Sequence, residues 1–184
     1  MNMKKGQKSV KEGIQNVLLP VEHLNISQGN NGSYSHQGVN ALDLAGYQGG
    51  CSPVYAPFDV ICVGVDGPAL GNAVFWQSQK KVRFADGTLD YATIMIIHDN
   101  DLSGIFIGAK YSQRTQIGNA GTAGQATGNH THFEIAKGKF SHKYDQNNST
   151  GVYHLPNSIS ADKCCFIDGT DILDGNGMKW KRVS

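Results

Sequence analysis

The chain has little of what assigns many proteins to a class. Its 16 Lys and Arg offset 15 Asp and Glu, a formal net charge of +1 over 184 residues. No broad basic face is available, so nucleic acid is not an expected partner. No window keeps apolar residues at a helical period, which excludes an architecture of long amphipathic helices. The longest apolar run, ATIMII at residues 92–97, is strand-sized and far below the ~20 residues of a membrane helix. Membrane insertion is therefore not expected. Lysines near the N-terminus are followed by no apolar stretch, so no signal peptide is expected either. The four cysteines, Cys51, Cys62, Cys164 and Cys165, form no CxxC pair and no zinc-ribbon spacing. Free thiols without a functional role are the expectation. HExxH, GxSxG and a GK[ST] phosphate loop are all missing, which removes helical zincins, nucleophile-elbow hydrolases and P-loop enzymes.

What is plentiful is glycine, 23 residues against 5 prolines. Tight turns between short strands fit that composition. Runs such as ALDLAG, DVICVGV, NAVFWQS and TIMII are strand-like and end in Gly, Asn or Asp clusters. The fold expected is mainly β, a single domain of antiparallel sheet with glycine-rich loops forming a substrate groove and little helix. Residues 1–14 read as a polar N-terminal segment and 15–184 as the domain. Its core lies at about 18–140, and a polar surface loop and a closing strand follow.

Chemistry is concentrated in three places. In GNHTHFEI, strand alternation puts His130, His132 and Glu134 on one face and Thr131, Phe133 and Ile135 on the other. Two imidazoles so spaced on a rigid strand can converge on one metal and its water. In SHQGVNALDLAG, His36 lies in a turn-rich stretch and Asp43 between Leu42 and Leu44. A carboxylate there is costly to bury unpaired, and alone it also fits an edge-strand residue facing solvent. In IMIIHDND, His98 ends an apolar strand, a position that a structural histidine also suits. Two histidines and one aspartate suffice for a three-ligand zinc site with an open fourth position, as hydrolysis requires. His23, His142 and His154 have no such context and read as surface or structural residues.

The order of these pieces resembles the lysostaphin-type (LytM-like) zinc metallopeptidases: His…Asp, then a strand-end His, then HxH after the run GTAGQATGN. PVYAPFDVICVGV adds a further likeness to that family's P-V-x-A-P-x-x-G-x-V segment, with Asp59 near its frequent glycine. The resemblance covers about residues 18–140. It implies zinc held by His36, Asp43 and His132, with His130 as catalytic base and His98 as the partner near the oxyanion. Glu134 would orient an imidazole from behind. Six residues separate His36 from Asp43, where the compact form of the motif has three.

The activity so implied is hydrolysis of peptide bonds in bacterial peptidoglycan, most like the catalytic domains of bacteriophage endolysins. A bound zinc would polarise the scissile carbonyl and acidify water. The protein is expected to be a monomer, made in the cytoplasm and acting on the cell wall after release. The alternatives are a non-catalytic peptidoglycan-binding or amidase-activating module of the same fold, or cleavage of the amide between sugar and stem peptide.

Overall fold

Short runs of β-branched and aromatic residues are cut every few positions by glycine and asparagine turns, and strand follows strand in consequence. The computed structural model describes residues 7–184. Eight strands form the main sheet: β1 (His23–Gln28), β2 (Leu42–Leu44), β3 (Val60–Val65), β4 (Val74–Ser78), β5 (Ala92–Ile97), β6 (Lys110–Tyr111), β7 (Thr131–Lys137) and β8 (Asp171–Asp174). Their order across the sheet is β6-β3-β4-β5-β7-β2-β1-β8. Every neighbouring pair is antiparallel except the last, where β8 adds in parallel to β1. The closing strand is thus an edge strand of the sheet. Among the described residues, regular α-helix is confined to one turn, α1 (Ala161–Cys164). No helix there is long and apolar enough to cross a membrane. The mainly β architecture expected from the sequence is the one observed, with two parallel pairs added, β8 with β1 and a short pair of Phe166–Ile167 with Lys181–Arg182.

Alternation sorts the central side chains onto two faces. On one, Leu42, Leu44, Trp76, Ile94, Ile96, Phe133 and Ile135 enter the main core. On the other, Phe75, Met95, Ile97 and Ala136 pack with Leu70, Ala73 and Leu155 in a smaller core. All six residues of β5 are buried, because both faces of that strand are covered. This is why its sequence reads as an unbroken apolar run. Each large side chain so buried contributes about 1.5–3 kcal/mol. The same alternation delivers Asp43, His132 and Glu134 to the second face.

The described part of the polar N-terminal segment is tied down. The Ser9 N–H donates to Gln113 Oε1 (2.8 Å), and Lys8 pairs with Asp59 (2.6 Å). Residues 1–6 of that segment lie outside the described residues. The polar stretch expected as a surface loop carries its own ribbon, Asp145–Gln146 against Tyr153–His154, and a buried anchor, Leu155. It forms one wall of a groove along the second face.

Candidate metal centre

Adjacent strands set the site. Asp43 on β2 stands directly opposite His132 on β7, and His132 stands opposite Ile97 on β5. His98 follows at the end of β5, with φ +88. Strict alternation would aim its ring away from Ile97's face. The left-handed backbone instead brings it beside His130, with ring centroids 4.4 Å apart. His36 arrives from the loop between β1 and β2. Its N–H donates to the Gly32 carbonyl (3.0 Å), and its side chain is fully buried.

One oxygen is the focus of the cluster. Asp43 Oδ1 lies 3.3 Å from His36 Nε2, 3.3 Å from His132 Nδ1 and 3.6 Å from His130 Nε2. The atoms of His36, Asp43 and His132 lie within 4.8 Å of one another, close enough to share one metal ion. Each ring is held from behind. His36 Nδ1 donates to the Gly29 carbonyl (3.0 Å), and His132 Nε2 donates to Glu134 Oε1 (2.7 Å). Glu134 Oε2 in turn accepts the Leu155 N–H (2.6 Å), so this carboxylate joins a ring of the site to the groove wall. In the neutral rings that a metal would bind, these bonds fix the tautomers: the lone pairs of His36 Nε2 and His132 Nδ1 face the aspartate.

Such an arrangement has a fault that a cation repairs. His36 Nε2 and Asp43 Oδ1 are buried without a hydrogen-bond partner. Unsatisfied buried polar atoms of this kind cost about 1–3 kcal/mol each. Two imidazole nitrogens and one carboxylate oxygen around a common point match the donor set and number that zinc takes at sites with an open position.

The protonation of the metal-free cluster follows from the same contacts. Burial alone would raise the Asp43 carboxyl, but the imidazoles of His132 and His36 outweigh it and hold it below the usual carboxylate range. Burial alone would lower His132, but Asp43 and Glu134 on either side push it up to about 9. A proton on His132 thus stands in part where a metal would. Burial pushes His98 down to about 4 against the pull of the Ala123 carbonyl, with His130 adding to the depression.

His98 Nδ1 donates to the Ala123 carbonyl (2.6 Å), and His130 Nδ1 donates to the Gly128 carbonyl (2.9 Å). Both rings therefore present Nε2 as a proton acceptor. The GTAG run serves this packing before anything else. A Cβ on Gly121 would run into the His98 carbonyl oxygen and Asn100 Oδ1, and one on Gly124 would stand 2.6 Å from Gly71 Cα. Gly124 also lines the groove, and the close approach is first between the protein's own loops.

All five histidine and aspartate positions singled out in the sequence, His36, Asp43, His98, His130 and His132, meet in this cluster. The other histidines do not. His23 lies 3.5 Å from Asp171, His142 is tilted against Phe140 with ring centroids 4.9 Å apart, and His154 sits in the loop ribbon. The four cysteines are unpaired. One site residue escaped the sequence reading: Gln28 Nε2 donates to Asp43 Oδ2 (2.8 Å). A glutamine near the end of a strand gives no signal by type or spacing.

No protein-family model matches the chain. It is 35% identical over 175 residues to Morphogenesis protein 1 of Bacillus phage B103, a match covering 92% of this chain and 45% of that protein. The chain thus spans about half the length of the curated relative it matches. Solved structures with a similar fold include a zinc containing peptidase from Vibrio cholerae, with TM-score 0.48 and 23% identity over 65% of this chain and 36% of that one. The catalytic domain of the antimicrobial peptidase lysostaphin from Staphylococcus simulans gives TM-score 0.41 and 18% identity over 75% of this chain and 86% of that one. The catalytic domain of the prophage-encoded M23 protein EnpA from Enterococcus faecalis gives 0.46 and 19% over 67% and 88%. Lysostaphin and M23 peptidases, the group that the sequence motifs resemble, are thus among the structures to which this chain is similar.

Proposed function

We propose that this chain is a zinc-dependent endopeptidase that hydrolyses peptide bonds in bacterial peptidoglycan. The observation that carries the reading is the convergence of His36 Nε2, Asp43 Oδ1 and His132 Nδ1 on one point, with two of these atoms buried and unpartnered. Beside them, two further imidazoles line the groove. The motif order that resembles lysostaphin-type peptidases supplies the substrate class.

His36, Asp43 and His132 would hold the metal. Bound zinc supplies a Lewis acid for the scissile carbonyl and acidifies water. The remaining steps belong to the chain. His130 Nε2, the more exposed of the two free rings, takes a proton from the attacking water and returns it to the leaving amine. His98 lies against His130, anchored by Ala123, beside the place where the oxyanion would form; it donates to that oxygen only as an imidazolium, a form that burial disfavours until the developing negative charge draws a proton onto Nε2. Glu134 keeps His132 in the ligand tautomer. The groove between the 141–158 wall and the loop before His36 takes an extended peptide.

The biological setting has two readings. One is an endolysin, made in the cytoplasm and released onto the wall as a monomer. The other follows from the relative named a morphogenesis protein: the same hydrolysis by a domain carried with the phage particle. Immunodetection in purified particles separates them.

The chemistry is tested by digesting purified peptidoglycan with and without chelator. Release of new amino groups that the chelator abolishes supports the reading, and product masses identify the bond. New reducing sugars in place of amines would overturn it. Zinc binding without any release would favour a binding or amidase-activating module.

A further inference from the structure

The ligand triad has a brace that neither the motif nor its spacing contains. Asp43 has two oxygens with different surroundings. Oδ1 faces the imidazoles and has no hydrogen-bond partner. Oδ2 accepts from Gln28 Nε2 at 2.8 Å. The same amide reaches the loop that carries the first histidine. Gln28 Nε2 lies 2.8 Å from Ser35 Oγ, and Gln28 Oε1 accepts the Ser35 N–H at 2.9 Å. Ser35 is the residue before His36. One side chain thus spans two ligands that lie further apart in sequence than in the compact form of the motif.

The backbone is built to put that side chain there. The pairing of β1 with β2 is Ile26 with Leu44 and then Gln28 with Asp43, a slip of one residue. Ile26 points into the main core. Without the slip, Gln28 would point the same way, and Ser27 would stand beside Asp43. The bulge re-aims the glutamine onto the face of the metal cluster, as bulges beside functional sites do.

We infer that Gln28 is a positioning residue of the metal centre, an inference that rests on reading His36, Asp43 and His132 as zinc ligands. Its amide occupies Oδ2 and leaves Oδ1 facing the imidazoles, so that Asp43 would offer a metal one oxygen. Its second contact fixes the loop end from which His36 enters. Capping one carboxylate oxygen keeps the ligand count low, and a low count preserves the open position that hydrolysis needs. Without the amide, Asp43 is free to offer both oxygens, and the His36 loop loses its tie.

The test is a pair of metal titrations on the wild-type chain and Gln28→Leu, a variant of similar size without either bond. Zinc affinity is read by competition with a chromogenic chelator. Coordination is read from the visible spectrum of the cobalt-substituted protein, which is intense for four-coordinate and weak for higher-coordinate cobalt. The expected result is an affinity lowered about 10–100-fold and a weaker cobalt spectrum. Ser35→Ala, which keeps the Asp43 bond and the backbone bond, is expected to match wild type in both. If Gln28→Leu does not fold, Gln28→Asn retains the amide but draws it back by one methylene, and carries the same expectation. Unchanged affinity and spectrum in the folded variant would overturn the role of Gln28 while leaving the zinc reading in place. A wild-type chain that binds neither metal would overturn both.

Discussion

Asp43 and His132 stand directly opposite each other on adjacent strands, and Oδ1 of one lies 3.3 Å from Nδ1 of the other. On the far side of the same ring, Nε2 is 2.7 Å from the buried Glu134. The carboxylate behind the ring decides which nitrogen keeps its proton and which is left for a metal. Glu134→Gln replaces a pure acceptor with an amide that can also donate to Nε2, which frees Nδ1 to take the proton instead. Zinc affinity is expected to fall about 10–100-fold, measured by competition titration.

Ligands and proton carriers should separate cleanly under mutation. His36→Ala, Asp43→Ala and His132→Ala are expected to lose bound zinc and peptidoglycan hydrolysis together. His130→Ala and His98→Ala should retain about one zinc per chain, because neither ring belongs to the triad. Their rates should drop by about 10²–10⁴. Metal analysis of each purified variant beside its rate makes the comparison. A fully active His98→Ala protein would remove that residue from the mechanism.

Gly121 tests whether the position of His98 matters. A Cβ there meets the His98 carbonyl oxygen and Asn100 Oδ1, so Gly121→Ala must push the turn after β5 outward. The expected phenotype is a reduced kcat with zinc affinity near that of wild type. Gly128→Ala is the control, since a Cβ at Gly128 meets nothing within 4 Å.

Zinc should stabilise the fold as well as activate it. The metal-free cluster leaves His36 Nε2 and Asp43 Oδ1 buried without partners, and a ligand that binds only the native state shifts unfolding by mass action. Zinc at a hundredfold excess over its Kd is expected to add about 2.7 kcal/mol. For a domain of this size that raises Tm by roughly 5–10 °C. Calorimetry with and without chelator reads the shift, which should vanish in Asp43→Ala.

Acid sensitivity has a defined contribution far from the site. Burial alone would raise Asp86, but Lys137 at 2.5 Å and the hydroxyl and N–H of Thr88 outweigh it, taking the carboxyl from an ordinary 3.8 down to about 2. Folding lowers this pKa, so its contribution is fully present above the ordinary value and is lost as pH falls through about 2. The stability difference between wild type and Asp86→Asn should therefore shrink between pH 4 and pH 2. Both partners are partly exposed, so solvent screening keeps the effect small. Urea unfolding of the two proteins across that pH range measures it.

Much of the site could be read from the sequence because strand geometry converts spacing into direction. His132, Glu134 and Phe133 announce two faces of one strand, and both faces are found where alternation puts them. Asp43 between two core leucines is likewise a carboxylate forced toward a partner. Where the backbone departs from regular geometry, the sequence is silent. The left-handed His98 turn and the slip that aims Gln28 are set by tertiary packing, and neither a histidine nor a glutamine advertises it. The wall made by residues 141–158 was legible only as polar. Its anchoring through the Leu155 N–H to Glu134 joins positions 21 residues apart through a backbone group, which no side-chain pattern encodes.

The most direct test of the central claim is zinc reconstitution. The purified chain is stripped with chelator, dialysed, and titrated with zinc while amino-group release from peptidoglycan is followed. The expected result is no activity in the stripped protein and recovery that saturates at about one zinc per chain, with none recovered in Asp43→Ala. A stripped chain that releases amino groups as fast as the zinc-loaded one would contradict the claim that the His36–Asp43–His132 cluster is a catalytic metal centre.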